Sequence, residues 1–117
     1  MEEYIKSIIK EVVDLRRELH RYPELGLEEY KTSEIIEAEL RKLGMHIEKM
    51  CHAGIVGTIK GKYEGPVLLY RADMDGLPIK EETGLSFASQ NEGAMHACGH
   101  DLHMACALGT ARVLDHF

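Results

Sequence analysis

Side chains that bind metals are concentrated in one short segment near the end of the sequence, MHACGHDLH. Between His96 and His103 the segment holds three histidines, one cysteine and one aspartate. This mixture of imidazole, thiolate and carboxylate suits zinc, manganese, cobalt or nickel better than calcium, which prefers oxygen ligands. Taken singly, such residues are more often polar surface groups around a buried cysteine. Their density in this segment favours a metal site.

The spacing within the segment separates its members into different roles. Cys98 and His100 are two residues apart across Gly99, so their side chains converge on one side if the backbone is extended or turning. His100 and His103 are neighbours if a helix has already begun. Asp101 is either a ligand or an acceptor that fixes an imidazole tautomer. No second Cys/His pair lies at the spacing of a zinc finger, so that class of site is excluded.

Two other segments carry polar groups next to predicted structure. Asp73 and Asp75 follow the apolar run 67–70, and active groups in open α/β sheets gather beyond the carboxyl ends of strands. One of these aspartates could orient a metal-bound histidine, although an Asp-rich turn closed by glycine and proline explains the pattern equally well. His20, in the segment LHRYPELG, is more often a capping or supporting residue than a ligand.

Two helices are predicted in the first third of the chain. Apolar residues at helical spacing indicate a first helix that ends near Tyr22-Pro23, because the residue before a proline disfavours the helical conformation. A second helix is expected over about 31–43. Thr32 and Ser33 are candidate caps at its start, and Gly44 is a natural residue just beyond its end.

The remainder of the chain predicts strands, a long loop and a third helix. Glycines separate short apolar runs, and the run VLLY is apolar at consecutive positions, as in a strand covered on both faces. The resulting order of elements fits a layered α/β domain. The expected segments are strands at 45–50, 54–59 and 67–70, a hairpin-like turn at 61–65, a loop at 81–97 and a helix at 101–115.

Composition limits the classes of function. The 117 residues suit one domain, with 44% hydrophobic and 29% charged residues. The formal charge of −6 argues against nucleic acid, which is bound through Lys and Arg. No apolar run approaches the length of a membrane span, and the N-terminal segment lacks the pattern of a signal peptide, so we expect the cytoplasm. Three cysteines are an odd number and do not form a complete disulfide framework.

The three segments LRRELHRYPELGLEEYKT, YRADMDGLPIKEETGLSFAS and MHACGHDLHMACALG, in this order, resemble the M20 family of metallopeptidases and amidohydrolases. The branch with aminoacylase-like enzymes, hippurate hydrolase and N-acetyldiaminopimelate deacetylase is the most similar. The resemblance implies that Cys98 and His100 ligate a metal and that Asp75 is the active-site aspartate. Asp73 occupies a position where other branches carry a metal-binding histidine. We therefore expect it, with Asp101 and His103, to orient ligands without binding metal.

The resemblance also implies the fold and the reaction. Residues 1–117 would be the N-terminal part of a three-layer, zinc-peptidase-like catalytic domain, without its remainder and without the inserted dimerisation domain. The resemblance implies that full-length members bind two metal ions and hydrolyse the amide bond of small N-acyl amino acids. A homodimer is a possible state of the full-length form. The general-base glutamate of these members lies in the absent part, and Glu81 and Glu82 are wrongly placed to replace it. We expect the chain alone to be inactive, since hydrolysis needs a base near the metal.

Two alternatives belong to other classes of function. The first is a non-catalytic metal-binding or interaction module that associates through an exposed sheet edge. The second is a thiol-redox protein that uses Cys98 and Cys106. On a regular helix, residues eight apart are separated by roughly 12 Å, which is too far for a disulfide. The redox alternative is therefore the weaker of the two.

Overall fold

The first helix, α1 (Glu2–Arg21), ends where the sequence predicts. The computed structural model describes all residues, Met1–Phe117. The helix stops two residues before Pro23, and only its C-terminal half is deeply buried, through Leu15 and Leu19. Farther towards the N-terminus, Ile5 and other apolar residues are partly open to solvent. The C-terminal end of α1 is therefore the end that is fixed in the core.

The second helix, α2 (Tyr30–Lys42), is also confirmed, but its predicted caps are wrong. Neither Thr32 nor Ser33 caps the helix; both lie inside it and are buried. The carboxylate of Glu24, from the preceding loop, instead accepts hydrogen bonds from two backbone amides of the first turn and from the Thr32 hydroxyl. A carboxylate at this position also interacts favourably with the helix dipole. Gly44 ends the helix with φ of 65°, as predicted.

The sheet consists of two antiparallel strands, β1 (His46–Met50) and β2 (Gly54–Thr58). Met50 pairs with Gly54, and the strands are joined by a tight turn. Gly57 lies against α2, where an added Cβ would come within 2.9 Å of a Leu40 methyl carbon. Close packing of the sheet on α2 therefore depends on the absence of a side chain at this position.

The predicted third strand at 67–70 is wrong. These residues pair with no strand, so the turn at 61–65 does not join a hairpin. Val67, Leu68 and Leu69 are 98%, 81% and 80% exposed. An apolar run of this kind forms a buried strand only where neighbouring strands and covering helices are available. Within these 117 residues the sheet has only two strands, and neither pairs with 67–70.

The last helix, α3 (His100–His116), packs against α1 and confirms the predicted third helix. The α/β class is also confirmed, with helices packed beside a small sheet. No helix is both long enough and apolar enough to cross a membrane. The packing brings the start of α3 close to the end of α1. The buried apolar core is formed by Leu15, Leu19, Ile36, Met104 and Leu108.

Candidate metal centre

Three loop segments meet at Gly76, and each contains one of the predicted motifs. The amide of Gly76 donates to the carbonyl of Glu24 at 2.7 Å. The next residue, Leu77, exchanges two backbone hydrogen bonds with Met95, at 2.8 and 3.0 Å. An added Cβ at Gly76 would lie 2.9 Å from the Cβ of Pro23. The backbone therefore holds the segments LHRYPELG, RADMDGLP and MHACGHD together, although they are distant in sequence.

Gly99 turns the chain from the MHAC loop into α3. Its φ of 82° lies in the left-handed region, which favours glycine. The Gly99 carbonyl accepts the amides of Leu102 and His103, so the helix begins directly after the turn. Cys98 and His100 flank this turn; the Cys98 thiol is exposed and free. The two predicted ligands are thus presented at the N-terminal end of a helix.

The imidazole of His100 is held by Asp75. Its Nδ1 donates to the Asp75 carboxylate at 2.9 Å and to the Asp75 backbone carbonyl at 3.0 Å. Two acceptors on one side fix the tautomer and the orientation of the ring, and they leave Nε2 as the free lone pair. This is the arrangement that a metal-binding histidine normally has. The structure thus brings together Asp75 and His100, which are 25 residues apart in sequence.

Asp73 and His103 have looser surroundings. Asp73 forms an ion pair with Arg71 on the surface and makes no contact of this kind with a predicted ligand. The ring of His103 lies beside that of His100, with centroids 5.7 Å apart, as the helical spacing predicted. Either residue could affect the electrostatics near His100, but neither is anchored as Asp75 is.

Asp101 is completely buried and turns away from solvent towards α1. Its Oδ2 lies 2.7 Å from Nδ1 of His20 and 2.8 Å from Nε of Arg16. Its Oδ1 has no hydrogen-bond partner. A buried carboxylate requires compensating charge and hydrogen bonds, and both basic groups come from α1. The residue directly after His100 thus ties the start of α3 to the end of α1.

The sequence did not reveal the partners of His20. Its Nε2 lies 3.1 Å from the carboxylate of Glu81, which also accepts from the Thr83 hydroxyl and the Ser89 amide. Burial tends to raise the pKa of Glu81, but these hydrogen bonds outweigh it and hold the pKa below its usual range. His20 is 81 residues from Asp101 and 61 from Glu81, so no local pattern could have indicated this network.

His96 is a second buried histidine, and neither of its ring nitrogens has a hydrogen-bond partner. It is 4% exposed, and its ring centroid lies 6.4 Å from that of His20. Burial lowers the pKa of His96 and so favours the neutral imidazole. A buried polar group without a hydrogen-bond partner is uncommon in folded proteins, so His96 differs in this respect from His20 and His100.

The donor chemistry of this region fits part of a transition-metal site. Cys98 offers a thiolate, and His100 offers a correctly held imidazole. No three Cys, His, Asp or Glu side chains are gathered closely enough to hold a metal ion by themselves. A catalytic zinc site normally has three protein ligands. Cys98 and His100 therefore suit a transition-metal ion, but they supply fewer ligands than a catalytic zinc site needs.

Comparison with known proteins shows what this chain is similar to. Residues 69–117 match the model of "Peptidase family M20/M25/M40". The chain is 44% identical over 111 residues to N-acetyl-L-cysteine deacetylase of Bacillus subtilis, covering 94% of this chain and 27% of that protein. It is 52% identical over 103 residues to N-acetyldiaminopimelate deacetylase of Halalkalibacterium halodurans, covering 86% of this chain and 28% of that protein.

A solved structure agrees with these relatives. The YXEP protein of Bacillus subtilis, described as a dinuclear metal-binding peptidase of the M20 family, superposes with a TM-score of 0.90 at 42% identity. The alignment covers 95% of this chain and 32% of that one. The fold is thus a partial α/β domain similar to part of this M20-family structure. Residues 69–117 are similar to peptidase family M20/M25/M40, and the chain spans less than a third of the length of these relatives.

Proposed function

We propose that these residues form the N-terminal part of the catalytic domain of a metal-dependent amidohydrolase that acts on N-acyl amino acids. Cys98 and His100 are the proposed metal ligands, and Asp75 is the proposed active-site aspartate. Asp73, Asp101 and His103 support the ligands without binding metal. The observation that carries the proposal is the pair of hydrogen bonds from His100 to Asp75, which leaves Nε2 free, while the exposed Cys98 thiol lies two residues earlier in the chain.

The substrate class follows from the relatives. Two of them are named as deacetylases of N-acetyl-L-cysteine and of N-acetyldiaminopimelate, which are small N-acyl amino acids. A related structure is described as binding two metal ions. Divalent zinc, manganese, cobalt or nickel would suit a thiolate and an imidazole. We extend the substrate class and the two ions to this protein as a proposal.

The remaining ligands, the base and the dimerisation domain are proposed to lie outside these 117 residues. Two observations support this. The relatives are more than three times as long as the aligned part, and the run 67–70 exposes apolar side chains that suit a central strand. In the complete domain, further strands would cover this run and bring a third ligand and a general base to the site.

Asp75 and Gly99 position the two proposed metal ligands. Asp75 holds the His100 ring so that Nε2 is free for a metal, and the left-handed φ of Gly99 turns the chain between Cys98 and His100. A divalent ion bound there would supply Lewis acidity for amide hydrolysis. The hydrogen bonds to Asp75 orient the imidazole and so favour it as a ligand.

Metal content and turnover test the proposal directly. The purified chain is loaded with zinc, manganese or cobalt, and bound metal is measured by mass spectrometry beside hydrolysis of N-acetyl amino acids. We expect metal binding that Cys98→Ala abolishes and that Cys106→Ala, a change at another exposed cysteine, leaves unchanged. Asp75→Asn should weaken metal affinity by about 10–100-fold. We expect no turnover by the 117-residue chain, since the general base is proposed to lie outside these residues.

Each outcome is informative. Binding that survives Cys98→Ala would contradict the proposed ligands. Metal-dependent turnover by this chain would show that the base and the further ligands are supplied by these residues or by a second copy. If a longer form of the protein bound metal through Cys98 and still hydrolysed no amide, the non-catalytic metal-binding module would be the better description.

A further inference from the structure

The side chain of His20 links the first turn of α3 to the loop after Pro78. One ring nitrogen faces Asp101 at 2.7 Å and the other faces Glu81 at 3.1 Å. All three side chains are almost completely buried. A histidine placed between two carboxylates away from water has a defined orientation, because rotation of the ring would break both contacts.

The groups around His20 define how its ring is held. Nδ1 faces the Asp101 carboxylate at 2.7 Å, and Nη2 of Arg16 lies 3.4 Å from the same nitrogen. Nε2 faces Glu81, whose carboxylate also accepts hydrogen bonds from the Thr83 hydroxyl and the Ser89 amide. The ring of His20 is thus held on two sides, by Asp101 and by Glu81.

Arg16 does not make His20 redundant. Its Nε lies 2.8 Å from the same Asp101 oxygen, but it is not oriented for a hydrogen bond. Phe87 covers both basic groups: the Arg16 guanidinium lies 5.1 Å from the ring centre, and the His20 ring meets the ring edge to face at 5.5 Å. Arg16 therefore contributes charge, while His20 contributes the directed hydrogen bond to Asp101.

Given the proposed function on which this inference rests, we propose that His20 is a positioning residue for the metal centre. Through Asp101 it fixes the first turn of α3 against α1, and this turn carries His100 at its start. Glu81 holds the other side of the ring and keeps it aimed at Asp101. In this proposal His20 contacts neither the metal nor the substrate. It fixes the position of His100 before the metal binds.

Two substitutions separate the two contacts of His20. In His20→Asn the side-chain amide nitrogen overlies Nδ1, so the donor to Asp101 is kept and the contact with Glu81 is lost. In His20→Gln the amide nitrogen overlies Nε2, so the opposite contact is kept. Both variants remove the imidazole and leave a polar amide in the same buried space. We expect His20→Asn to retain the function of His20 and His20→Gln to lose it.

The first measurement needs no metal. Amide hydrogen exchange is followed by NMR in the metal-free chain at Leu102 and His103, whose amides donate to Gly99. We expect faster exchange in His20→Gln than in His20→Asn or the wild type. Leu15→Ala, a core change on the same helix, controls for a general loss of stability. Equal exchange in both His20 variants, after correction by this control, would overturn the proposal.

The second measurement is the affinity for Co²⁺, followed by the absorption band of the cobalt–thiolate bond of Cys98. We expect His20→Gln to weaken affinity by about tenfold, and His20→Asn to stay near the wild type. A loss that merely follows the melting temperature across the His20 variants and Leu15→Ala would overturn the positioning role. If the wild type shows no band that depends on Cys98, the proposed metal site fails, while the exchange measurement still decides the role of His20.

Discussion

Replacing Gly76 with alanine tests whether the meeting of three loops governs the stability of this domain. The new Cβ would lie 2.9 Å from the Cβ of Pro23, 3.3 Å from the carbonyl oxygen of Glu24 and 3.4 Å from that of Met95. Carbon atoms pack best at about 3.5–4.0 Å. The first neighbour belongs to a rigid ring and the other two to the backbone. A rotamer change cannot relieve the contact, so whole segments must move.

The magnitude follows from two opposing terms. Overpacking of a close contact destabilises by about 1–3 kcal/mol. Alanine also lowers the entropy of the unfolded chain, which stabilises by about 0.4–1 kcal/mol where the backbone conformation allows alanine. Gly76 does not have a left-handed φ, so this second term applies. The net expectation is a loss of about 1–2 kcal/mol, or a melting temperature lower by roughly 4–10 °C.

Thermal unfolding followed by circular dichroism measures this loss. Gly65→Ala is the matched control, because an added Cβ there meets nothing within 4 Å. It should melt at or slightly above the wild-type temperature. We also expect Gly76→Ala to weaken Co²⁺ binding, since Asp75 and Met95 adjoin the displaced backbone. If Gly76→Ala melts as high as Gly65→Ala, the close approach of the three loops does not exist as described.

Three further predictions concern the core, the surface and the turn. Met104→Ala should lower the free energy of unfolding by about 2–5 kcal/mol in chemical denaturation, because Met104 is 2% exposed in the core. Burial tends to raise the pKa of Glu39, but hydrogen bonds from Lys42 and Arg112 outweigh it and lower the pKa below 4.5. Its charge therefore contributes stability that is lost as the pH falls below about 4.5, and Glu39→Gln should flatten this part of the stability curve. Gly99→Ala should cost about 1–2 kcal/mol through its left-handed φ.

Each of these predictions has a control and a contradicting result. Leu102→Ala, at a half-exposed neighbour of Met104, should change stability by less than about 0.5 kcal/mol, and equal losses at both positions would contradict the assigned core. If the free energy of unfolding of the wild type and of Glu39→Gln fell in parallel between about pH 5 and about pH 3, this would exclude the proposed ion pairs of Glu39. Gly99→Asn should recover part of the loss, since asparagine tolerates this conformation.

The local parts of the fold were predictable from the sequence. Helical spacing, Pro23 and Gly44 predicted the end of α1 and both bounds of α2 to within two residues, because these signals act within one or two turns. The strand at 67–70 was predicted wrongly. Its apolar residues indicate a strand that would be buried on both faces. A strand forms only where a neighbouring strand is available, and the sequence of residues 67–70 does not show whether one is. The caps of α2 were wrong because Glu24, six residues before the helix, outcompetes the local hydroxyls.

The site was predictable in part for the same reason. Cys98 and His100 are close in sequence, and the glycine between them indicated a turn, so their proximity could be read directly. The sequence predicted only that one of the aspartates Asp73 and Asp75 could orient a histidine. Which aspartate contacts His100, and through which atoms, is visible only in the folded structure. His20, Asp101 and Glu81 meet only after α1, α3 and a long loop have packed. No periodicity or composition reports a contact across such separations.

The packing of α1 against α3 has a consequence for synthesis on the ribosome. Roughly 80 residues separate the end of α1 from the start of α3, and α3 supplies Met104 and Leu108 to the shared core. At about 5–20 residues per second, α1 waits on the order of 4–16 s for this partner after it has been made. Its buried positions, Leu15 and Leu19, are exposed during that interval. The nascent chain therefore exposes the apolar face of α1 to chaperones before α3 has been made to cover it.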